Sequence, residues 1–294
     1  MPLRDIVLAL AVVVVWGVNF VAIKWGLAEV SPFMLTALRY IGCVLPAVFF
    51  VRRPPISWWM IFGYGLFVGV LQFSFLFTAI KLGMPAGLAS LVMQVQVFFT
   101  MALAVLLLGE RPNLFQVGGA LVAFGGIGVI ALERLEGAVL IPLLTTLAAA
   151  FFWAISNIIN KRAGKVDMLG LVVWGSLVPP IPMLALAYVF DGPQAFLALG
   201  QLSLQGFGSI AFIAYASTLF GYGGWAVLLG RHPASTVAPF ALLVPVAGFG
   251  STMLLLGETV SALEIAGSVL IFAGLLLNVF GPRLRRRWQA PVTS

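Results

Sequence analysis

Amide and aromatic side chains recur at helical spacing inside long apolar stretches of this sequence. Trp16, Asn19 and Phe20 are three residues and one residue apart, so an α-helix carries them on one face. Trp153 and Asn157 are four residues apart in another apolar stretch and share a face there. Amides donate and accept hydrogen bonds, and aromatic rings contact apolar groups and cations. This chemistry suits the binding of a solute rather than the breaking of a bond.

Polar side chains are costly inside a bilayer, which makes each of them a candidate for a binding site. Gln72, Ser90 and Gln94 add hydrogen-bonding groups from two further apolar stretches. One more face is predicted to carry Tyr215, Thr218, Tyr222 and Trp225. The predicted substrate-binding residues are Trp16, Asn19, Phe20, Gln72, Ser90, Gln94, Trp153, Asn157, Tyr222 and Trp225. The alternative for each amide is a packing hydrogen bond between helices.

Three other polar groups have two interpretations each. Gln96 lies about 200° around a helix from Gln94, so one of the two is predicted to bond a neighbouring helix rather than face a cavity. Lys24 and Arg39 are the cations most embedded in apolar segments, both toward the outer leaflet. They either extend to the interface or form a cationic entrance that binds a substrate carboxylate.

The acidic residues and the histidine argue against an enzyme. Every Asp and Glu falls in a predicted loop or at a segment end, and His232 is the only histidine. An intramembrane metalloprotease needs paired histidines, and a serine protease needs a base beside its nucleophile. We therefore expect no catalytic residue, no metal and no cofactor. A carrier that relays protons or binds cationic drugs is disfavoured because no carboxylate lies at mid-membrane.

The composition requires a membrane. Of the 294 residues, 62% are hydrophobic and only 9% are charged, too few to cover a soluble core of this size. Segments long enough to span a bilayer predict an all-α membrane protein of ten transmembrane helices. They cover roughly residues 4–27, 33–51, 58–80, 85–107, 114–132, 139–160, 168–190, 205–228, 233–256 and 263–281.

Basic residues predict the topology. The net charge of +7 comes from Lys and Arg in short loops and at the C-terminus, which argues against a nucleic-acid partner. Most of them fall on one side if the N-terminus is cytoplasmic, as expected for a multi-pass membrane protein. The even number of helices then predicts that both termini are cytoplasmic.

The two halves of the chain share a sequence pattern. Residues 106–110 (LLLGE) are identical to residues 254–258, and Pro, Gly and Phe residues on both sides keep that register. A second register aligns Trp16 with Trp153 and Lys24 with Lys161. Repeats of five helices enter the membrane from opposite sides, so we predict two inverted repeats with a substrate site between them. The predicted boundaries are residues 1–136, 137–282 and a basic cytoplasmic tail, 283–294.

The same residues resemble the EamA family of the drug/metabolite transporter superfamily. The resemblance rests on residues 15–20 (VWGVNF), residues 83–92 (GMPAGLASLV) and the LGE before the last helix of each half, and it covers nearly the whole chain. A closer likeness to exporters of O-acetylserine and cysteine rests on residues 63–66, 95–100, 221–223 and 242–246. The resemblance implies ten helices, duplication, a location in the bacterial inner membrane and export of small amino acids or metabolites.

The predicted mechanism is alternating access between the two halves, by facilitated diffusion or with weak proton dependence. A small-molecule substrate and surrounding lipid are the expected partners, and a monomer is favoured over a dimer. Export of drugs or aromatic amino acids stays open, because related exporters handle both. A channel is a weaker alternative, because the sequence shows no charged ring or carbonyl filter.

Overall fold

A computed structural model of the chain describes residues 1–134, 140–164, 166–232 and 234–289, and these residues contain helices and no strand. Ten helices form the described part of the bundle. They are α1 (Leu3–Glu29), α2 (Pro32–Ala47), α3 (Trp58–Lys81), α4 (Ala86–Leu108), α5 (Leu114–Arg134), α6 (Leu140–Ala163), α7 (Met168–Gly175 and Pro180–Asp191), α8 (Leu204–Arg231), α9 (Ala234–Ala241 and Val244–Leu256) and α10 (Ala262–Gln289).

The predicted set of ten helices is confirmed, with differences at two ends. Helix α2 was expected to reach residue 51 but ends at Ala47, because Leu45 leaves helical geometry (φ −98°, ψ 114°) ahead of Pro46. The backbone of α10 continues to Gln289, beyond its predicted end. The predicted boundary between the repeats, at residues 136 and 137, and the end of the tail, residues 290–294, lie outside the described residues.

Irregular backbone occurs at matching places in the two repeats. A π-helical stretch, Gly65–Gln72, interrupts α3, and another, Phe212–Phe220, interrupts α8. The 3₁₀ turn Met93–Val95 in α4 corresponds to the break at Leu242 and Leu243 in α9. Both helices then end on a left-handed glycine, Gly109 (φ 67°) and Gly257 (φ 63°), which tolerate positive φ because they lack a Cβ. The duplication therefore extends to the departures from ideal helix.

The last helices of the two repeats, α5 and α10, pack antiparallel through glycine. A Cβ on Gly119 would lie 2.6 Å from the Gly274 carbonyl oxygen, and one on Gly126 would lie 2.5 Å from that of Gly267. The shared register aligns Gly119 with Gly267 and Gly126 with Gly274. Exchanging the repeats thus turns one contact into the other. Such an exchange between antiparallel helices is the geometry of inverted repeats.

This packing predicts that Gly126→Ala destabilises the protein. The new methyl group meets backbone rather than a movable side chain, and overpacking of this kind costs about 1–3 kcal/mol. Thermal or denaturant unfolding in detergent micelles measures the change.

Gly125→Ala is the matched control, since a Cβ there meets nothing within 4 Å. It should leave stability unchanged or raise it by up to about 1 kcal/mol. Equal losses in the two variants would show that the glycine contact between α5 and α10 does not limit stability.

Candidate substrate-binding site

A central cavity of about 260 Å³ lies between the two repeats. All ten residues predicted to bind substrate line it: Trp16, Asn19, Phe20, Gln72, Ser90, Gln94, Trp153, Asn157, Tyr222 and Trp225. Helices α5 and α10 contribute no lining residue among those described, whereas α2 contributes Arg39 and α7 contributes Met168. The structure thus brings the candidates together. Their role in binding stays a prediction.

One wall of the cavity is aromatic. The Trp16 ring centroid lies 5.5 Å from that of Tyr222 and 5.3 Å from that of Trp225. The Trp16 indole donates from Nε1 to the carbonyl oxygen of Ser217 at 3.0 Å, which fixes the ring against α8. A Cβ on Gly221 would lie 2.3 Å from that nitrogen, so the position of the indole ring requires glycine at residue 221. The wall offers ring faces to a solute.

Arg39 lies inside the cavity rather than at its entrance, which corrects the predicted position. The residue is only 2% exposed, and its guanidinium carbon sits 3.9 Å from the centroid of the Phe73 ring. Ring faces attract cations, and this holds the side chain inward instead of letting it extend to the interface. Its Nε and Nη1 atoms have no hydrogen-bond partner in the described part of the chain.

Lys24 does not line the cavity. Its Nζ donates to Oε1 of Glu258 at 2.9 Å, a partner 234 residues away in the other repeat. The predicted cationic entrance formed by Lys24 and Arg39 is therefore wrong as a pair. A carboxylate that pairs with Lys24 could not be assigned from sequence, because Glu258 follows a different helix.

Two buried acceptors on residues that line the cavity also have no partner among the described residues. The residues Asn19 and Gln72 are buried, and within the described residues neither Asn19 Oδ1 nor Gln72 Oε1 receives a hydrogen bond. Buried acceptors of this kind are uncommon, since leaving one unpaired costs about 1–3 kcal/mol. With Arg39, the cavity thus holds free donors and free acceptors together.

Other predicted residues already have partners inside the protein. Asn157 donates from Nδ2 to Gln96 Oε1 at 2.6 Å and to Thr100 Oγ1 at 3.1 Å, a link between α6 and α4. Ser90 donates its hydroxyl proton to the carbonyl oxygen of Gly87 at 2.6 Å. Gln96 is thus the interhelical partner expected of one of the two glutamines, yet both it and Gln94 line the cavity. The 3₁₀ turn at Met93–Val95 has three residues per turn, which brings the two side chains closer in angle.

Helical periodicity fails in α8. Tyr222 and Trp225 line the cavity, but Tyr215 is half exposed and Thr218 is buried with its hydroxyl on the Ile213 carbonyl oxygen. The π-helical stretch Phe212–Phe220 has wider turns than an α-helix, so residues within it rotate off the predicted face.

Several lining residues were not predicted. Asn160 lies on the predicted face of α6, seven residues after Trp153, so its position was available from spacing. The aromatic and aliphatic members look the same in sequence as lipid-facing residues. The unpredicted lining residues are Tyr64, Phe73, Leu76, Met93, Gln96, Asn160, Met168, Ser217, Ala241 and Val244.

The cavity is closed toward one side of the membrane. We call the side on which α1 begins the N-terminal side and the other the far side. Asn160 and Met168, at the end of α6 and the start of α7, extend the cavity toward the N-terminal side. Toward the far side, Ile23, Met84 and Leu88 are fully buried and form a packed layer. The Lys24–Glu258 ion pair lies at this closed end.

The fold defines a polytopic membrane protein built from two inverted repeats. The sequence pattern of the EamA-like transporter family matches residues 3–132 and again residues 140–280. The chain therefore belongs to the EamA-like transporter family.

Relatives share nearly the full length of the chain. It is 45% identical to a "probable amino-acid metabolite efflux pump" of Salmonella typhimurium, over 97% of this chain and 98% of the relative. It is 44% identical to a protein of the same description in Escherichia coli K12, with the same coverage. It is 24% identical to a "probable terminal-alkyne amino-acid exporter" of Streptantibioticus cattleyicolor, over 94% of each chain.

A solved crystal structure is similar in fold. It aligns with a TM-score of 0.64 at 20% identity and covers 98% of this chain and 99% of that one. At this identity, the likeness supports the arrangement of the helices and nothing about the solute.

The link from Asn157 predicts a cost in stability. In Asn157→Ala the donor to Gln96 and Thr100 is lost, which removes the hydrogen bonds between α6 and α4 and lowers the free energy of unfolding by about 0.5–1.5 kcal/mol. Unfolding in detergent, followed by tryptophan fluorescence, measures this. Asn160→Ala, on the same helix and in the same cavity, is the matched control and should change stability by less. If the control costs as much, the link between α6 and α4 is not what stabilises this wall.

Proposed function

We propose that this protein exports small amino acids and closely related metabolites from the cytoplasm, by alternating access to the central cavity. O-acetylserine and cysteine are the proposed type of substrate. The observation that carries the proposal is the set of buried polar atoms without partners: the Arg39 guanidinium, Asn19 Oδ1 and Gln72 Oε1. An amino acid presents the matching groups, because its carboxylate accepts hydrogen bonds and its ammonium group donates them.

The charges of these groups set the orientation of the substrate. A guanidinium binds a carboxylate through paired N–H donors, so the carboxylate lies at Arg39 beside the Phe73 ring. The ammonium group donates to Asn19 and Gln72, and the side chain extends toward Trp16. In this arrangement, the substrate supplies a partner to the Arg39 guanidinium, Asn19 Oδ1 and Gln72 Oε1.

The size of the cavity favours a metabolite over a drug. Its volume of about 260 Å³ falls below the range of about 300–1,000 Å³ usual for pockets that enclose drug-sized ligands. No Asp or Glu lines the described cavity, so a cationic drug would find ring faces but no counter-charge. The stacked wall of Trp16, Tyr222 and Trp225 supports one alternative, an exporter of aromatic amino acids.

The direction of transport follows from the topology. The N-terminal side, where basic residues concentrate, is the cytoplasm of a bacterial cell under the positive-inside rule. The cavity extends toward that side, which supports loading from the cytoplasm. The efflux named for the two relatives at 45% and 44% identity supports export. With no acid at the cavity, we propose facilitated export rather than obligate proton antiport.

Arg39→Gln tests the carboxylate site. Truncating one partner of a buried charge pair costs about 2 kcal/mol or more, which corresponds to a loss of apparent affinity of at least roughly 30-fold. Competition by unlabelled solutes against efflux of labelled cysteine from proteoliposomes measures the affinity. Amides of the same amino acids, which keep the ammonium group but lack the carboxylate, should lose much less affinity on the same substitution.

Arg53→Gln is the matched control, since Arg53 lies outside the cavity on an exposed loop and stacks on Trp58. It removes the same charge and should leave affinity unchanged. If Arg39→Gln lowers the affinity for amides and for amino acids equally, or changes neither affinity, Arg39 does not bind the carboxylate. Selective transport of a cationic dye by the unaltered protein, with amino acids excluded, would instead favour a drug exporter.

A further inference from the structure

Each repeat supplies one lysine and one glutamate to a pair of ion pairs that span the repeats. Lys24 in α1 pairs with Glu258 after α9, and Lys161 in α6 pairs with Glu110 after α4. The sequence registers align Lys24 with Lys161 and Glu110 with Glu258. Exchanging the two repeats therefore turns one ion pair into the other. The first pair lies on the far side of the membrane and the second on the N-terminal side.

The two pairs are equivalent in sequence but not in environment. The Glu258 side chain is 10% exposed, and besides Lys24 it accepts from the backbone nitrogens of Ala86 at 2.9 Å and Gly87 at 3.0 Å. These nitrogens begin α4, where a negative charge is favoured by the free N–H groups and the helix dipole. Glu258 thus joins α1, α4 and α9 at the closed end of the cavity.

Glu110 has the looser arrangement. Its side chain is 47% exposed and meets Lys161, itself half exposed. The residues aligned with Ala86 and Gly87 are Ala234 and Ser235, the first residues of α9. Glu110 is therefore placed to close the N-terminal side only if α9 moves toward the end of α4. The cavity extends toward this side, as expected for an undocked closure.

We propose that Glu258 with Lys24 and Glu110 with Lys161 are alternating closures of the transport cavity. In the described state Glu258 is docked on the start of α4 and closes the far side, while Glu110 is undocked. In the opposite state Glu110 docks on the start of α9 and closes the N-terminal side, while Glu258 releases α4. The inference rests on the proposed alternating access and is independent of which solute is carried.

The ionisation of Glu258 supports this role. Burial raises its pKa, but hydrogen bonds from Gly87, Ala86 and Lys24 outweigh burial and hold the pKa below the ordinary value of 4.5. The docked carboxylate is therefore ionised at neutral pH. Glutamine in its place keeps the size of the side chain and removes the charge that draws both Lys24 and the start of α4.

Thiol labelling tests the closures without any substrate. Cys43 is the only cysteine and is buried, so Cys43→Ser provides a background in which single reporter cysteines are read. Ile23→Cys reports on the far side, within the packed layer, and Asn160→Cys reports on the N-terminal side of the cavity. A membrane-impermeant maleimide is applied from each side of oriented vesicles.

Glu258→Gln should raise the labelling rate at position 23 from the far side by about tenfold or more, the effect of losing a hydrogen bond to a charged group. Labelling at position 160 should fall in the same variant. Glu110→Gln should leave position 23 protected, because it weakens the opposite state instead. Lys24→Gln should act in the direction of Glu258→Gln with a smaller effect, since the amides of α4 still bind the carboxylate.

Asp167→Asn is the matched control, since Asp167 also caps a helix start, accepting from Leu169 and Gly170 nitrogens within one repeat. It should shift neither reporter. Size-exclusion chromatography confirms that each variant is folded. Two results would overturn the proposal. In the first, Glu258→Gln and Glu110→Gln change the labelling of both reporters in the same direction. In the second, position 23 stays protected in folded Glu258→Gln and Lys24→Gln. If the reporters respond as expected but amino acids are not transported, the substrate assignment fails and the closures stand.

Discussion

Inside a bilayer, every backbone N–H and C=O group must find a partner within the protein, and this constraint underlies the whole structure. It permits irregular backbone only where protein or a cavity surrounds it. The π-helical stretches Gly65–Gln72 and Phe212–Phe220 each contribute a cavity residue, Gln72 and Ser217. The 3₁₀ turn of α4 and the break in α9 are likewise bordered by lining residues. Departures from ideal helix therefore mark the site in both repeats.

The duplication gives the molecule a common backbone but unequal polar chemistry. Gly119 contacts Gly274 and Gly126 contacts Gly267 in α10, so the last helices of the repeats form a symmetric contact away from the cavity. At the cavity, symmetry is broken. Arg39 has no acidic counterpart in the described lining, and Asn19 aligns with Ser156, which bonds its own helix. One substrate orientation is therefore favoured, although the scaffold around it is nearly twofold.

Sequence spacing predicted the helices and the cavity because both depend on local periodicity. Trp16, Asn19 and Phe20 share a face in any regular helix, and they line the cavity together. Spacing misplaced Tyr215 because a π-helical stretch changes the number of residues per turn, and such a stretch cannot be recognised from composition. It also missed the partner of Lys24, since an ion pair over 234 residues depends on how α1 and α9 pack. The spacing of residues thus predicts which of them share a helix face, whereas contacts between the two repeats can be identified only from the three-dimensional structure.

The central claim is that the cavity serves one side of the membrane at a time. Trans-stimulation in proteoliposomes tests it most directly: uptake of labelled cysteine is compared between vesicles preloaded with unlabelled cysteine and empty vesicles. A carrier must reorient its cavity from one side of the membrane to the other, and it reorients faster with solute bound. Preloading should therefore accelerate uptake of the label severalfold. Uptake at the same initial rate in preloaded and empty vesicles, without saturation, would show an open pore and contradict the account.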